Sequence, residues 1–157
     1  MRSDSLNSSS GNYRKEVRNL IYVQDDALTV ELSPNQSGSI VLLRACGAAK
    51  VINLPDASDN SGIWYDFIIH EALDGTMDIE AKDGTDFFLG TVADGESGSA
   101  AEVAFNGSSH DELKIASGAA AGEFECRLVC DGDNWLIMNG VSQDISDISA
   151  GTASGNS

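Results

Sequence analysis

The chain has 157 residues, 16 glycines, two prolines, three cysteines and a formal net charge of -16. That length suits one domain with tails, large enough to fold without a disulfide or metal staple. The charge disfavours nucleic acid and anionic membrane as partners, because both are met by a basic stripe.

The charge is uneven along the chain. Residues 1–20 hold Arg2, Arg14, Lys15 and Arg18 against Asp4 and Glu16, a net of +2, whereas the remainder holds five basic and 23 acidic residues, a net of -18. Residues 1–12, MRSDSLNSSSGN, are polar and read as extended or mobile. They lack the apolar core of a signal peptide, and no run approaches the ~20 apolar residues of a membrane span. In YRKEVRNLIYV, residues 13–23, the spacing of Tyr13, Val17, Leu20 and Ile21 suits a short helix, while Leu20 to Val23 equally begins a strand. Residues 1–24 are therefore expected to form an N-terminal arm carrying a short helix.

From residue 25 to residue 143 the pattern predicts a β domain. Leu28, Val30 and Leu32 alternate with Thr29 and Glu31. Ser39 to Ala45 is an apolar run suited to a buried strand, and Lys50 to Leu54 alternates into Pro55. The most strand-like segment is Ile63 to His70, with Trp64, Tyr65 and Phe67. Met77, Ile79 and Ala81 share one face of the next strand, followed by Asp86 to Leu89, Glu102 to Phe105 and Glu112 to Ala116. In Glu123 to Cys130, Phe124, Cys126, Leu128 and Cys130 share a face, and Asp131-Gly132-Asp133-Asn134 turns into Trp135 to Met138. After Asn139-Gly140 the composition becomes Ser, Asp, Gly and Ala, and residues 144–157 are expected to be a flexible tail. Asp-Gly recurs at 74–75, 83–84, 94–95 and 131–132 without a fixed period, which reads as hairpin punctuation and not as a solenoid. The expected fold is all-β: a sandwich, jelly roll or barrel-like body of short antiparallel strands behind an extended arm.

Chemistry finds little support in these residues. His70 ends a strand beside Glu71 and His110 lies in a polar loop beside Asp111; no serine stands in a Gly-x-Ser-x-Gly elbow. Cys126 and Cys130, on one strand, lie ~13 Å apart and cannot form a disulfide. With Cys46 they read as small core residues, not as a zinc site. Two acidic turns, Asp56-Asp59-Asn60 and Asp131-Asp133-Asn134, offer oxygen atoms of the kind calcium takes, but neither matches an EF-hand loop. Trp64, Tyr65, Phe87, Phe88 and Trp135 are candidates for a sugar platform, with core or interface packing as the competing role. The expectation is a non-enzymatic module without a cofactor.

Three stretches carry a resemblance. They are Gly38-Ser39-Ile40-Val41-Leu42-Leu43 followed by Val51-Ile52-Asn53-Leu54-Pro55, then Gly62-Ile63-Trp64-Tyr65-Asp66-Phe67-Ile68-Ile69, then Cys130-Asp131-Gly132-Asp133-Asn134-Trp135-Leu136-Ile137. Their succession, over roughly residues 38–138, resembles capsid decoration (cement) proteins of tailed bacteriophages. The resemblance implies a virion structural protein, made in the host cytoplasm, that sits on the capsid exterior. It implies a homotrimer that bridges neighbouring major capsid protein subunits. On that reading the arm is the capsid contact, with Arg14, Lys15, Arg18, Leu20, Ile21 and Tyr22 as its anchors. The competing reading is a fibre or tail module for host recognition or carbohydrate binding. A hydrolase built on a carboxylate pair stands further off.

Overall fold

The computed structural model describes residues 19–23, 28–82, 84–96 and 100–152. Twelve strands run in chain order: β1 (Leu20–Val23), β2 (Thr29–Glu31), β3 (Ile40–Leu43), β4 (Lys50–Asn53), β5 (Trp64–Ile69) and β6 (Met77–Glu80), then β7 (Phe87–Asp94), β8 (Glu102–Asn106), β9 (Glu112–Ile115), β10 (Phe124–Cys130), β11 (Asn134–Ser142) and β12 (Ile148–Gly151). Short 3-10 turns cover Pro34–Gln36 and Ile145–Asp147. Among the described residues there is no α-helix, and so none long and apolar enough to cross a membrane.

The strands form two sheets. Sheet A has the order β1-β3-β5-β10-β11-β7-β8, and sheet B the order β12-β9-β6-β4-β2. The all-β expectation holds, and the sheets are mixed: five of the ten strand pairings are antiparallel, as expected, and five are parallel. The first six strands alternate between the sheets, so β1, β3 and β5 lie parallel in A while β2, β4 and β6 lie parallel in B. Parallel neighbours need a crossover between them. Here each crossover is a strand of the opposite sheet, and the chain winds as a flattened coil. The winding is uneven: Leu20 pairs with Ile40 and Ile40 with Asp66, so successive turns differ in length and leave no fixed period in the sequence. The Asp-Gly motif at 74–75 accordingly falls at a passage between sheets, not in a hairpin.

The second half closes the body. Strand β10 pairs antiparallel with both β5 and β11, β11 runs parallel to β7, and β9 joins sheet B antiparallel to β6. The β10–β11 hairpin forms where the sequence predicts it. The Asp131 carboxylate accepts the N–H groups of Asp133 and Asn134 at 2.9 and 2.7 Å, and Gly132 takes φ 107°.

The chain ends also differ from expectation. Leu20–Val23 are a strand, the second of the two readings their pattern allows, because Ile21 and Val23 pack towards the core. Residues 1–18 and 24 of the expected arm lie outside the described residues. Within the expected tail, the Asp144 side chain caps the turn at Ile145–Asp147 by accepting from the Ser146 N–H, and β12 pairs with β9. Ile148 is the reason: it is buried in the core at 4% exposure.

One core lies between the sheets. Tyr65, Phe67, Phe88, Phe124, Leu128 and Trp135 of sheet A meet Ile52, Met77, Ile79, Leu113 and Ile115 of sheet B. Each such side chain contributes roughly 1.5–3 kcal/mol on burial. The three cysteines are buried and free, as their spacing predicts.

Candidate functional site

A pleated strand sends alternate residues to opposite faces, so the residues between core positions make the two outer faces. On sheet A, register places Leu20, Ile40, Asp66, Arg127 and Met138 in one row. A second row is Tyr22, Leu42, Ile68, Glu125 and Val141, and a third contains Trp64, Val129, Leu136 and Leu89. On sheet B the rows are Glu31, Asn53, Glu80, Glu112 and Gly151, and Thr29, Val51, Asp78, Lys114 and Ser149. One outer face is therefore largely apolar, whereas the other is polar and carries four carboxylates, Glu31, Asp78, Glu80 and Glu112. Among the described residues five large apolar side chains are exposed, and four of them, Leu20, Tyr22, Leu89 and Met138, stand on the outer face of sheet A. Leu28 is the fifth.

The sequence-predicted anchors divide. Leu20 and Tyr22 are about half exposed on this face. Ile21 is not available for docking, since it packs against the core. Arg14, Lys15 and Arg18 lie outside the described residues. Strand β1 is the edge of sheet A. The Arg44 guanidinium sits 5.5 Å from the Tyr22 ring centroid, and His70 meets that ring edge-on at 6.4 Å. Arg44 also binds Glu71 at 2.5 Å. This contact raises the guanidinium pKa and holds the Glu71 carboxyl below its usual range.

A groove of about 310 Å³ crosses the middle of the face, lined by Ile40, Asp66, Ile68, Glu125, Arg127 and Asn139 together with Phe67 and Cys126. Arg127 is fixed beside it. Its Nε and Nη2 donate to the two Asp66 oxygens at 2.6 and 3.0 Å, and its guanidinium stacks 4.2 Å from the Trp64 ring centroid. Asn139 takes φ 54° where β11 bulges against both β10 and β7. Such bulges re-aim side chains and sharpen local twist. Strand β11 continues to Ser142, past the Asn139-Gly140 pair where the composition predicts its end.

The other sequence candidates are placed as follows. The two acidic turns, far apart in sequence, converge on one cavity of about 290 Å³ lined by Asp56, Ser58, Lys82, Thr85, Asp86, Gly132 and Asp133. The Lys82 ammonium, 2.5 Å from Asp56, already supplies a cation there. With the Ser58 hydrogen bonds, it lowers the Asp56 pKa to about 2. Glu123, Asp144 and Asp147 bring their carboxylate oxygens within 4.8 Å of one another. Two of these carboxylates are engaged locally, Glu123 by the Ala120 N–H and Asp144 by Ser146. A sugar platform is not formed: Tyr65, Phe88 and Trp135 are fully buried, and Arg127 covers the Trp64 ring. His70 lies 3.8 Å from Glu71, and His110 packs edge-on against Phe105.

No protein-family model, curated protein or solved structure matches this chain.

The apolar outer face escapes a reading based on alternation. Its sequence signals are the apolar run Ile40 to Leu43 and the near-continuous run Ile63 to Ile69, broken only by Asp66. Runs of that kind belong to strands covered on both sides.

Proposed function

We propose that this chain is a non-catalytic virion structural protein that decorates the exterior of a tailed-bacteriophage capsid and ties neighbouring major capsid subunits together. The observation that supports the reading is the concentration, among the described residues, of four of the five exposed large apolar side chains on one outer sheet face of a chain with net charge -16. An apolar patch on an otherwise charged surface marks a contact surface. The net charge of -16 keeps decorated particles apart and in solution. The sequence that precedes β1, the edge strand beside this face, carries Arg2, Arg14, Lys15 and Arg18 as a source of cationic contacts. Assembly as a homotrimer multiplies contacts that are individually weak.

Co-sedimentation with expanded phage shells tests the reading. The full chain pellets stoichiometrically with shells, and Met138→Glu or Leu89→Glu pellets at least tenfold less while keeping its circular dichroism. A leader deletion must stop at residue 18, because removing Leu20–Val23 takes an edge strand out of sheet A. A chain that stays in the supernatant at all shell concentrations sinks the proposal.

A further inference from the structure

We infer that the groove in the outer face of sheet A receives a basic side chain, arginine or lysine, presented by a different protein; the inference rests on the reading of that face as a docking surface. The groove has apolar walls at Ile40 and Ile68 and carboxylates at Asp66 and Glu125. A long basic side chain matches that order, with its methylene stem against the isoleucines and its charged head at the acids. Arg127 does not fill the groove, because Asp66 holds two of its nitrogens and Trp64 holds its face. With Arg127 paired to Asp66, Glu125 leaves the groove with a net negative charge. The Asn139 carboxamide, aimed by the bulge in β11, adds a further polar wall. The groove lies mid-row between the exposed Leu20 and Met138. A central polar anchor ringed by apolar contacts is the arrangement in which water exclusion strengthens a charged contact.

The described body of a second copy does not fit as the donor. Arg44, Lys82, Lys114 and Arg127 are each within 3.0 Å of a carboxylate of their own chain, and Lys50 is buried at 2% exposure. The described body of a second copy is therefore not the donor.

The test is a titration of the full chain with N-acetyl-arginine amide, followed by amide chemical shifts. Saturable shifts centred on Glu125, Asn139 and Ile68, absent with N-acetyl-glutamine amide and weakened about threefold in Glu125→Gln, support the inference; that factor is the size of a partly exposed ion pair. Glu125 is exposed, so the substitution leaves the fold intact. No saturable shift, equal shifts with the glutamine analogue, or an unchanged Glu125→Gln titration overturns it. Self-association of the full chain that Glu125→Gln abolishes also overturns it, because the donor is then the leader of a neighbouring copy. Failure here with shell binding still lost in Met138→Glu removes the basic anchor alone. Arginine binding without any shell binding removes the capsid reading and leaves the groove.

Discussion

Glu80 and Glu112 lie directly opposite each other on the antiparallel strands β6 and β9, on the outer face of sheet B, at 5% and 4% exposure. Like charges so placed repel. Burial first, and neighbouring carboxylates second, push the Glu80 carboxyl above its usual range. Burial likewise raises Glu112 and Asp78, with Lys114 opposing in both. A carboxyl raised in the folded state penalises folding above its folded pKa, and the penalty is relieved as the pH falls towards the unfolded value. Stability therefore rises on acidification from neutral towards the ordinary glutamate value of 4.5. It falls again at lower pH, as Asp56, held at about 2 by Lys82, becomes protonated in the unfolded chain and then in the folded one. Urea midpoints across this range check the maximum. Glu80→Gln raises the neutral-pH stability by about 0.5–1 kcal/mol and flattens the upper limb; an unchanged limb would show that the opposed pair is not its source.

Arg127 ties Trp64 to Asp66 across β5 and β10. The pair is partly exposed, at 38% and 21% for the Arg127 and Asp66 side chains, so its worth is modest. Arg127→Ala lowers stability by about 1 kcal/mol, the sum of an exposed cation–π contact and a screened ion pair. Arg127→Lys recovers less than half, because an ammonium lacks the planar fork that meets both Asp66 oxygens and stacks on the ring. Tryptophan emission separates the two contributions: it shifts to the red when the Trp64 ring is uncovered, while Trp135 stays buried and constant.

The β11 bulge tests the backbone. Asn139 is the one described non-glycine residue with positive φ. Asn139→Ala costs about 1 kcal/mol, the left-handed penalty that asparagine tolerates better, and Asn139→Gly is neutral or slightly stabilising. Gly140→Ala costs more, about 2–3 kcal/mol, because its Cβ would stand 2.8 Å from the Thr91 carbonyl oxygen. Thermal unfolding of the three variants ranks them; a neutral Gly140→Ala would mean that the parallel β7–β11 contact yields.

The cysteines test the core. Cys46, Cys126 and Cys130 are buried, and burial pushes the Cys126 thiol far up. Thiolate is the reactive form, so a disulfide reagent at neutral pH titrates no thiol in the native protein and three in denaturant. A fast native thiol would contradict the packing of β10.

Alternation and apolar runs in the sequence located β2 to β11, the inward residues of β6 and β10, the final hairpin and the fate of the cysteines, but neither β1 nor β12 as settled strands. Each depends on side chains two residues apart or on one turn, and such information is local. The parallel coil was not legible, because Asp-Gly at 74–75 looks the same whether the chain returns in one sheet or crosses to the other. The fate of β12 was equally hidden: Ile148 stands among Ser, Gly and Ala, and only a vacancy beside β9 makes it core. Two contrasts that bear on function arise in the same way. Leu20, Ile40 and Met138 become one surface, and Glu31, Glu80 and Glu112 another, only when register sets distant strands side by side. Period-two patterning says which residues share a face of a strand. Only pairing between strands says which strands share a face of the molecule.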